Sequence, residues 1–158
     1  MRATPVLLCL ALMAAMSLAA QEKPATANPP NYDAGLAERL GADEYGMKSY
    51  VLVLLKTGAQ AGAPKAERQK AFAGHMANIQ RLADEGKLVV AGPLLKNDHN
   101  YEGIFIFNVK TVKEAEALLA TDPAVASGLL AFEAYGWYGT AALTEIVSIH
   151  NRIQKKSP

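Results

Sequence analysis

Residues 72–93 read as an amphipathic helix that ends at Glu85 and Gly86 and passes directly into an apolar strand. The apolar side chains of this helix recur at the spacing of a single face, and they are Phe72, Met76, Ile79, Leu82 and Ala83. His75 falls on the same face, so its ring is expected to point towards a sheet or a pocket. A histidine in that place is either a hydrogen-bonded core residue or a poised acid–base group, and helical spacing alone does not decide between them.

Three further apolar runs predict three more strands. Residues 50–55 and 103–109 are apolar at consecutive positions, which is typical of strands buried on both faces. The strand that follows the first helix is predicted over residues 88–95, and residues 131–138 supply the last strand. The polar stretch 96–100 lies between the second and third strands, and its composition predicts a hairpin turn.

Two helical segments separate the third strand from the fourth. Thr111 and Glu114 have the spacing of a capping box, which predicts a helix that begins there and ends near Thr121. Asp122 followed by Pro123 then predicts a short helical turn. The order of elements is βαββαβ, which predicts an α+β fold of the ferredoxin-like class, with helices on one face of a four-stranded antiparallel sheet.

The second face of this sheet also needs a cover. Two helices cover only one face, yet the strands at residues 50–55 and 103–109 are apolar on both. We therefore expect a homodimer whose sheets pack face to face, unless the C-terminal segment covers part of that face.

The first twenty residues have the pattern of a cleaved secretory signal. Arg2 precedes an apolar run, residues 6–16, that is too short for a permanent membrane anchor, and Ser17 and Ala19 then place small residues at the two positions that a signal peptidase reads. Cleavage would remove Arg2 and Cys9, the single cysteine, and would leave equal numbers of acidic and basic residues. We therefore expect a secreted or periplasmic protein without disulfides, and its neutral charge predicts no binding to nucleic acid or to anionic membranes.

The other boundaries follow from composition. Residues 21–47 predict a flexible, proline-rich leader, in which residues 32–40 have the pattern of a short helix. The α+β domain is expected to span residues 48–142. Residues 143–158 form a C-terminal extension whose apolar spacing favours a helix, although β-branched residues are frequent there.

Several short motifs follow one another in a fixed order along the predicted domain. They are His75 with Glu85-Gly86 and Ala91-Gly92-Pro93, then Gly103-Ile104, Glu114-Ala115, and Asp122-Pro123-Ala124-Val125 with Gly128. Together they resemble the YciI-like, or YCII-related, family over residues 48–138. Residues 41–47 and 137–143 look like features of a secreted branch of that family.

The resemblance implies a dimeric α+β barrel with His75 and Asp122 as its active-site pair. A related enzyme class acts on chlorinated hydroquinones with such a pair, so the resemblance implies proton transfer or elimination on a small molecule. In that chemistry the carboxylate fixes the tautomer of the imidazole and stabilises the imidazolium that forms. Asp122 has a second interpretation, since Asp before Pro at the start of a helix is an ordinary N-cap.

Two aromatic residues are candidates for the surroundings of His75. Tyr135 and Trp137 share a strand face, so they are expected either in the core and the dimer interface or as walls of a small apolar cleft near His75. The sequence contains no metal-ligand spacing, phosphate loop or dinucleotide fingerprint, so no metal and no cofactor are expected.

Two functions remain open on the sequence. The first is a periplasmic enzyme of unknown substrate that uses His75 as a general base oriented by Asp122. The second is a non-catalytic dimer that binds a small ligand or stabilises a component of the cell envelope. Replacing His75 by Ala or Asp122 by Asn would abolish turnover in the first case, and would change only ligand affinity in the second.

Overall fold

The structure is a computed structural model that describes residues 28–156. The predicted signal peptide and the first part of the predicted leader lie outside these residues. Residues 28–32 are the described end of an N-terminal unit that is separate from the rest of the chain, and within them the amide of Tyr32 donates a hydrogen bond to the carbonyl of Pro29. The remaining description concerns residues 33–156.

Four strands form one antiparallel sheet. They are β1 (Met47–Thr57), β2 (Leu88–Pro93), β3 (Tyr101–Phe107) and β4 (Leu130–Thr140). Their order across the sheet is β2-β3-β1-β4, so β1 is a central strand that pairs with β3 on one side and with β4 on the other. This order confirms the predicted α+β, ferredoxin-like architecture.

The α-helices of the described residues are α1 (Ala34–Leu40), α2 (Lys65–Asp84), α3 (Val112–Leu119), α4 (Pro123–Ala126) and α5 (Ile146–Ile153). As the sequence predicts, α2 connects β1 to β2, and α3 and α4 connect β3 to β4, whereas α1 precedes the sheet and α5 follows it. The capping box at the start of α3 is confirmed, because Thr111 accepts from the amide of Glu114 and the Glu114 carboxylate accepts from the amide of Thr111. Within residues 28–156, no helix is both long and apolar enough to cross a membrane.

The pleat of β1 divides the core between the two faces of the sheet. Val51, Val53 and Leu55 point to the face that the helices cover, where they form the main core with Phe105 and Phe107. The other face, which we call the second face, carries the alternate residues of the strands: Tyr50, Leu52, Leu54, Ile104, Ile106, Tyr135 and Trp137. Both faces of the central strand are therefore apolar, as its continuous apolar run predicts.

The C-terminal segment covers part of the second face. After β4, a 3-10 helix (Ala141–Glu145) brings Leu143 onto a small cluster formed by Tyr50, Val89 and Ile106. The extension therefore begins as a 3-10 helix and becomes α-helical only at Ile146, later than its apolar spacing suggests. From there α5 lies beside the edge strand β2. The rest of the second face stays open, with Tyr135 50% and Trp137 37% exposed.

Candidate active site

His75 and Asp122 meet in the interior of the protein. His75 lies on the buried side of α2, and Asp122 is the residue immediately before α4. The Nδ1 atom of His75 lies 2.7 Å from Oδ2 of Asp122, and the Asp122 side chain is only 1% exposed. The structure therefore brings together two residues that are 47 positions apart in the chain.

The position of Asp122 is set by the start of α4. Its Oδ1 atom accepts the amide of Ala124 at 2.9 Å, which is an ordinary helix N-cap. Because one carboxylate oxygen is used for the cap, the other oxygen is turned towards α2 and His75. The two interpretations of Asp122 that the sequence allows, cap and histidine partner, describe the same side chain in the same conformation.

A glycine allows α2 and α4 to approach closely enough for this contact. A Cβ atom at Gly74 would lie 2.7 Å from Cγ of Pro123, which is closer than real Cβ atoms come to a neighbour. Gly74 and Pro123 are the direct neighbours of His75 and Asp122 in the sequence. The close approach at Gly74 therefore holds the pair within hydrogen-bonding distance.

The charge of the pair follows from its surroundings. Burial is the largest single influence on the Asp122 carboxyl and would raise its pKa, but the hydrogen bond and charge of His75 and the amides of Ala124 and Val125 together outweigh it. The pKa of Asp122 is therefore lowered from its ordinary value, and the side chain is a carboxylate at neutral pH. Since a carboxylate can only accept, Nδ1 of His75 carries the proton, and Nε2 is the nitrogen that can accept one from a ligand.

Two aromatic rings fix the plane of the imidazole. The ring of Phe105 stacks on His75 with centroids 5.8 Å apart and planes 23° apart, and Phe72 contacts the imidazole edge-on at the same centroid distance. Both rings leave the imidazole little freedom to rotate. His75 is therefore held by one polar contact and two aromatic ones.

A second polar cluster joins the same two helices. The Oδ1 atom of Asn78, one turn after His75, accepts from Thr121 Oγ1 at 3.1 Å and from Arg81 at 2.7 Å. Thr121 directly precedes Asp122, so this cluster fixes the loop from which the carboxylate projects. Asn78 is buried although the sequence analysis does not place it on the apolar face of the helix.

His75 lines a cleft of about 620 Å³, which we call the His75 cleft. A volume of this size lies within the range of about 300–1,000 Å³ that is usual for small-molecule sites. Its walls come from α2, β2, β3 and α5, and most lining side chains are apolar, including Phe72, Met76, Ile79 and Phe105. Phe72 and Met76 are therefore exposed to the cleft rather than packed in the core, which the helical pattern could not distinguish.

Comparison with known proteins identifies the family of the central domain. The model of the YCII-related domain matches residues 49–135, which is more than half of the chain. The chain belongs to the YCII-related family. This family domain contains both His75 and Asp122, whereas α5 lies beyond its end.

The other two comparisons add little to this assignment. A search of curated proteins found no significant match. Among solved structures, the chain is similar to a 5-chloro-2-hydroxyhydroquinone dehydrochlorinase from Burkholderia phenoliruptrix AC1100, in complex with 2,5-dihydroxybenzoquinone. The identity is 18%, the TM-score is 0.42, and the match covers 57% of this chain and 93% of the other. A likeness this distant supports no inference about chemistry.

The structure separates Tyr135 and Trp137 from His75. Because side chains alternate along a strand, both project from β4 onto the second face, where they lie opposite Leu52 and Tyr50 of β1. His75 lies against the helix-covered face, on Phe105. The interpretation of these two residues as walls of a cleft near His75 is therefore corrected: they share a face, but it is the other face of the sheet.

Several residues of the candidate site do not stand out in the sequence. Gly74 inside a helical pattern, directly before the histidine, is a signal of close packing that could have been used. Asn78 and the contribution of α5 carry no comparable local signal, since both depend on which elements pack together. Within the described residues, no group of three or more His, Cys, Asp and Glu side chains could hold a metal ion.

Proposed function

We propose that the protein is an enzyme that binds a small molecule in the His75 cleft and transfers a proton, with His75 as general base and Asp122 as its orienting partner. One observation carries the proposal. A buried histidine is hydrogen-bonded through Nδ1 to a buried carboxylate and lines a mostly apolar cleft of ligand size. The membership of the YCII-related family fits this function but does not specify a substrate.

The chemistry needs only the groups already described. Nε2 removes a proton from an acidic C–H or O–H group of the substrate, and the imidazolium that forms is stabilised by the Asp122 carboxylate 2.7 Å from Nδ1. The electron pair left on the substrate either accepts a proton at another atom, which is an isomerisation, or expels a leaving group, which is an elimination. The apolar lining strengthens the interaction between imidazolium and carboxylate by excluding water.

Binding without catalysis is the second candidate, and the cap supports it. Asp122 caps the start of α4, and its other oxygen accepts a hydrogen bond from a buried histidine. A purely structural role would therefore also explain why the two residues are paired. In that case the His75 cleft holds a ligand, and no proton is transferred.

Deuterium exchange distinguishes the two functions. The purified protein is incubated in D₂O with a panel of small phenols, ketones and lactones, and proton NMR follows exchange at carbon and line broadening on binding. We expect catalysed exchange that His75→Asn abolishes, because the Asn amide can replace Nδ1 towards Asp122 but offers no base at the position of Nε2. His99→Gln, on the exposed β2–β3 hairpin, is the matched control and should catalyse deuterium exchange at the rate of the wild type. Binding without exchange would favour the second candidate.

We also propose that the protein is secreted or periplasmic, as its N-terminal sequence predicts, and that it forms a homodimer through the second face. The apolar side chains of this face and the exposure of Tyr135 and Trp137 support a partner sheet. Light scattering at micromolar concentration should give the mass of a dimer, and Trp137→Lys should give a monomer. Ile153→Lys, at another exposed apolar position, is the control. A wild-type monomer would contradict the proposed homodimer.

Fractionation of the producing cells tests the proposed secreted or periplasmic location.

A further inference from the structure

The His75 cleft runs from the protein interior to the surface. At its inner end, His75 lies among buried side chains that include Leu55, Phe105 and Leu130. At its mouth, α5 contributes His150 and Asn151, and the residue that caps its C-terminus contributes Gln154; all three are exposed. The cleft therefore has a reactive group at its buried end, apolar walls along its length, and polar groups at its opening.

The placement of α5 is built into the fold rather than accidental. The buried hydroxyl of Tyr50 donates to the carbonyls of Thr140 at 3.0 Å and Ala141 at 3.3 Å, which fixes the chain as it leaves β4. Leu143 then packs on the second face, and α5 starts beside β2. These two contacts hold the segment that leads into α5 against the sheet.

We propose that α5 is the wall that selects the ligand, and that the His75 cleft takes an elongated, uncharged and mainly apolar molecule with a hydrogen-bonding group at each end. One end meets Nε2 of His75, and the other end meets the polar side chains of α5. The proposal rests on the function proposed above, because it uses His75 as the group at the inner end. It goes beyond the family domain, which ends at Tyr135, before α5 begins.

The chemistry of the lining determines this ligand class. The polar side chains that line the cleft are His75, Gln80, Glu102, His150, Asn151 and Gln154, of which Glu102 is the single carboxylate. These groups can bind a ligand mainly through hydrogen bonds rather than through ion pairs. The walls between them are aliphatic and aromatic, which favours a ring or chain without charge. The amides of Asn151 and Gln154 are held only loosely by each other, at 3.4 Å, and remain able to bond a ligand.

Two probes of different length test the proposal. Phenol has one ring and one hydroxyl, whereas 4,4′-dihydroxybiphenyl has two rings and a hydroxyl at each end. Their dissociation constants are measured by NMR titration of each purified variant, following the backbone amide signals of Ala91 and Gly92, which line the cleft and are present in every variant. The test variant carries His150→Ala, Asn151→Ala and Gln154→Ala together, and the control variant carries Ser148→Ala, Ile149→Ala and Arg152→Ala at positions of α5 outside the lining. All six positions are exposed, so both variants should keep the fold, which circular dichroism checks.

We expect the test variant to bind the biphenyl about tenfold more weakly, as the loss of one or two hydrogen bonds predicts, and to bind phenol within about twofold of wild type. The control variant should bind both probes like the wild type. If the test and control variants bind the biphenyl equally, or if neither probe perturbs the cleft of the wild-type protein, the assignment of α5 is wrong. The proposed function has a separate readout, because His75→Asn should weaken the binding of both probes. Unchanged dissociation constants for both would refute the role of His75. The comparison of the two α5 variants would remain valid in that case.

Discussion

Replacing Asp122 separates the structural and chemical roles of this residue. Its Oδ1 caps α4 through the amide of Ala124, and its Oδ2 accepts from Nδ1 of His75. Asp122→Ala removes both bonds. Asp122→Asn keeps the cap, because asparagine is as good an N-cap as aspartate, and it turns an amide nitrogen towards His75.

The expected loss of stability can be worked out bond by bond. Losing the N-cap costs about 0.5–2 kcal/mol, and leaving the buried Nδ1–H of His75 without a partner costs about 1–3 kcal/mol. We therefore expect Asp122→Ala to lower the free energy of unfolding by about 2–5 kcal/mol, a large part of the about 5–15 kcal/mol that a domain has. For Asp122→Asn we expect the free energy of unfolding to fall by about 1 kcal/mol, since the hydrogen bond to His75 is kept and loses only its charged acceptor.

Asp122→Asn should nevertheless abolish proton transfer. The amide nitrogen of asparagine donates, so the nitrogen it faces on His75 must accept, and the ring proton moves to Nε2. The nitrogen that faces the His75 cleft is then no longer a base. Catalysed deuterium exchange should fall to the background while the fold is retained.

Urea unfolding followed by circular dichroism at neutral pH measures these differences, with two-state behaviour checked by a second probe. Asp98→Ala, on the exposed hairpin, is the matched control and should lie within about 0.5 kcal/mol of wild type. If Asp122→Ala also lies within that margin, the assigned cap and hydrogen bond do not stabilise the protein. Equal losses for Asp122→Ala and Asp122→Asn would show that the charge, and not the cap, dominates.

Three further predictions concern acid pH, a close backbone contact and the anchor of the C-terminal segment. Because the pKa of Asp122 is lowered in the folded state, its carboxylate stabilises the fold fully above its ordinary pKa of 3.8, and this contribution is lost as the pH falls from there through the lowered value. The difference in unfolding free energy between wild type and Asp122→Asn, measured with urea, should therefore begin to shrink below the ordinary pKa and disappear only below the lowered pKa, and a constant difference would contradict this. Gly58→Ala would place a Cβ atom 2.1 Å from the carbonyl oxygen of Gly128, so we expect a loss of more than about 2 kcal/mol, and an unchanged melting temperature would refute it. Tyr50→Phe removes the buried donor to Thr140 and should cost about 1–3 kcal/mol with faster amide exchange in α5, whereas unchanged exchange would show that the hydroxyl is no anchor.

The existence of the strands and their sequence along the chain could be predicted because each strand has its own local signal. The continuous apolar run of β1 indicates a strand buried on both faces, and the polar turn before β3 indicates a hairpin. The capping box of α3 is equally local, since Thr111 and Glu114 are one helical turn apart. These features depend on neighbours along the chain, so a single sequence is sufficient to predict them.

The site was harder to predict because its geometry depends on contacts between distant elements. Helical spacing could place His75 on the apolar side of α2, but nothing in the spacing pairs it with Asp122; that pairing came from the resemblance to a family. The same pattern could not tell that Phe72 borders a cleft while Asn78 is buried, since both outcomes depend on which elements pack against each side of α2. Likewise, the second face was predicted to need a cover, but the path of the C-terminal segment over it is set by tertiary contacts of Tyr50 and Leu143.

The cap of α4 ties the proposed reactive pair to the family domain, whereas the wall that we propose selects the ligand lies in α5, beyond the end of that domain. Asp122 cannot move relative to His75 without breaking the start of α4, and α2 cannot move away without opening the contact of Gly74 with Pro123. The inner end of the His75 cleft is therefore tied to the stability of the family domain. On the proposed function, changes of substrate must come from the mouth of the cleft, where α5 can be altered at exposed positions with little effect on stability.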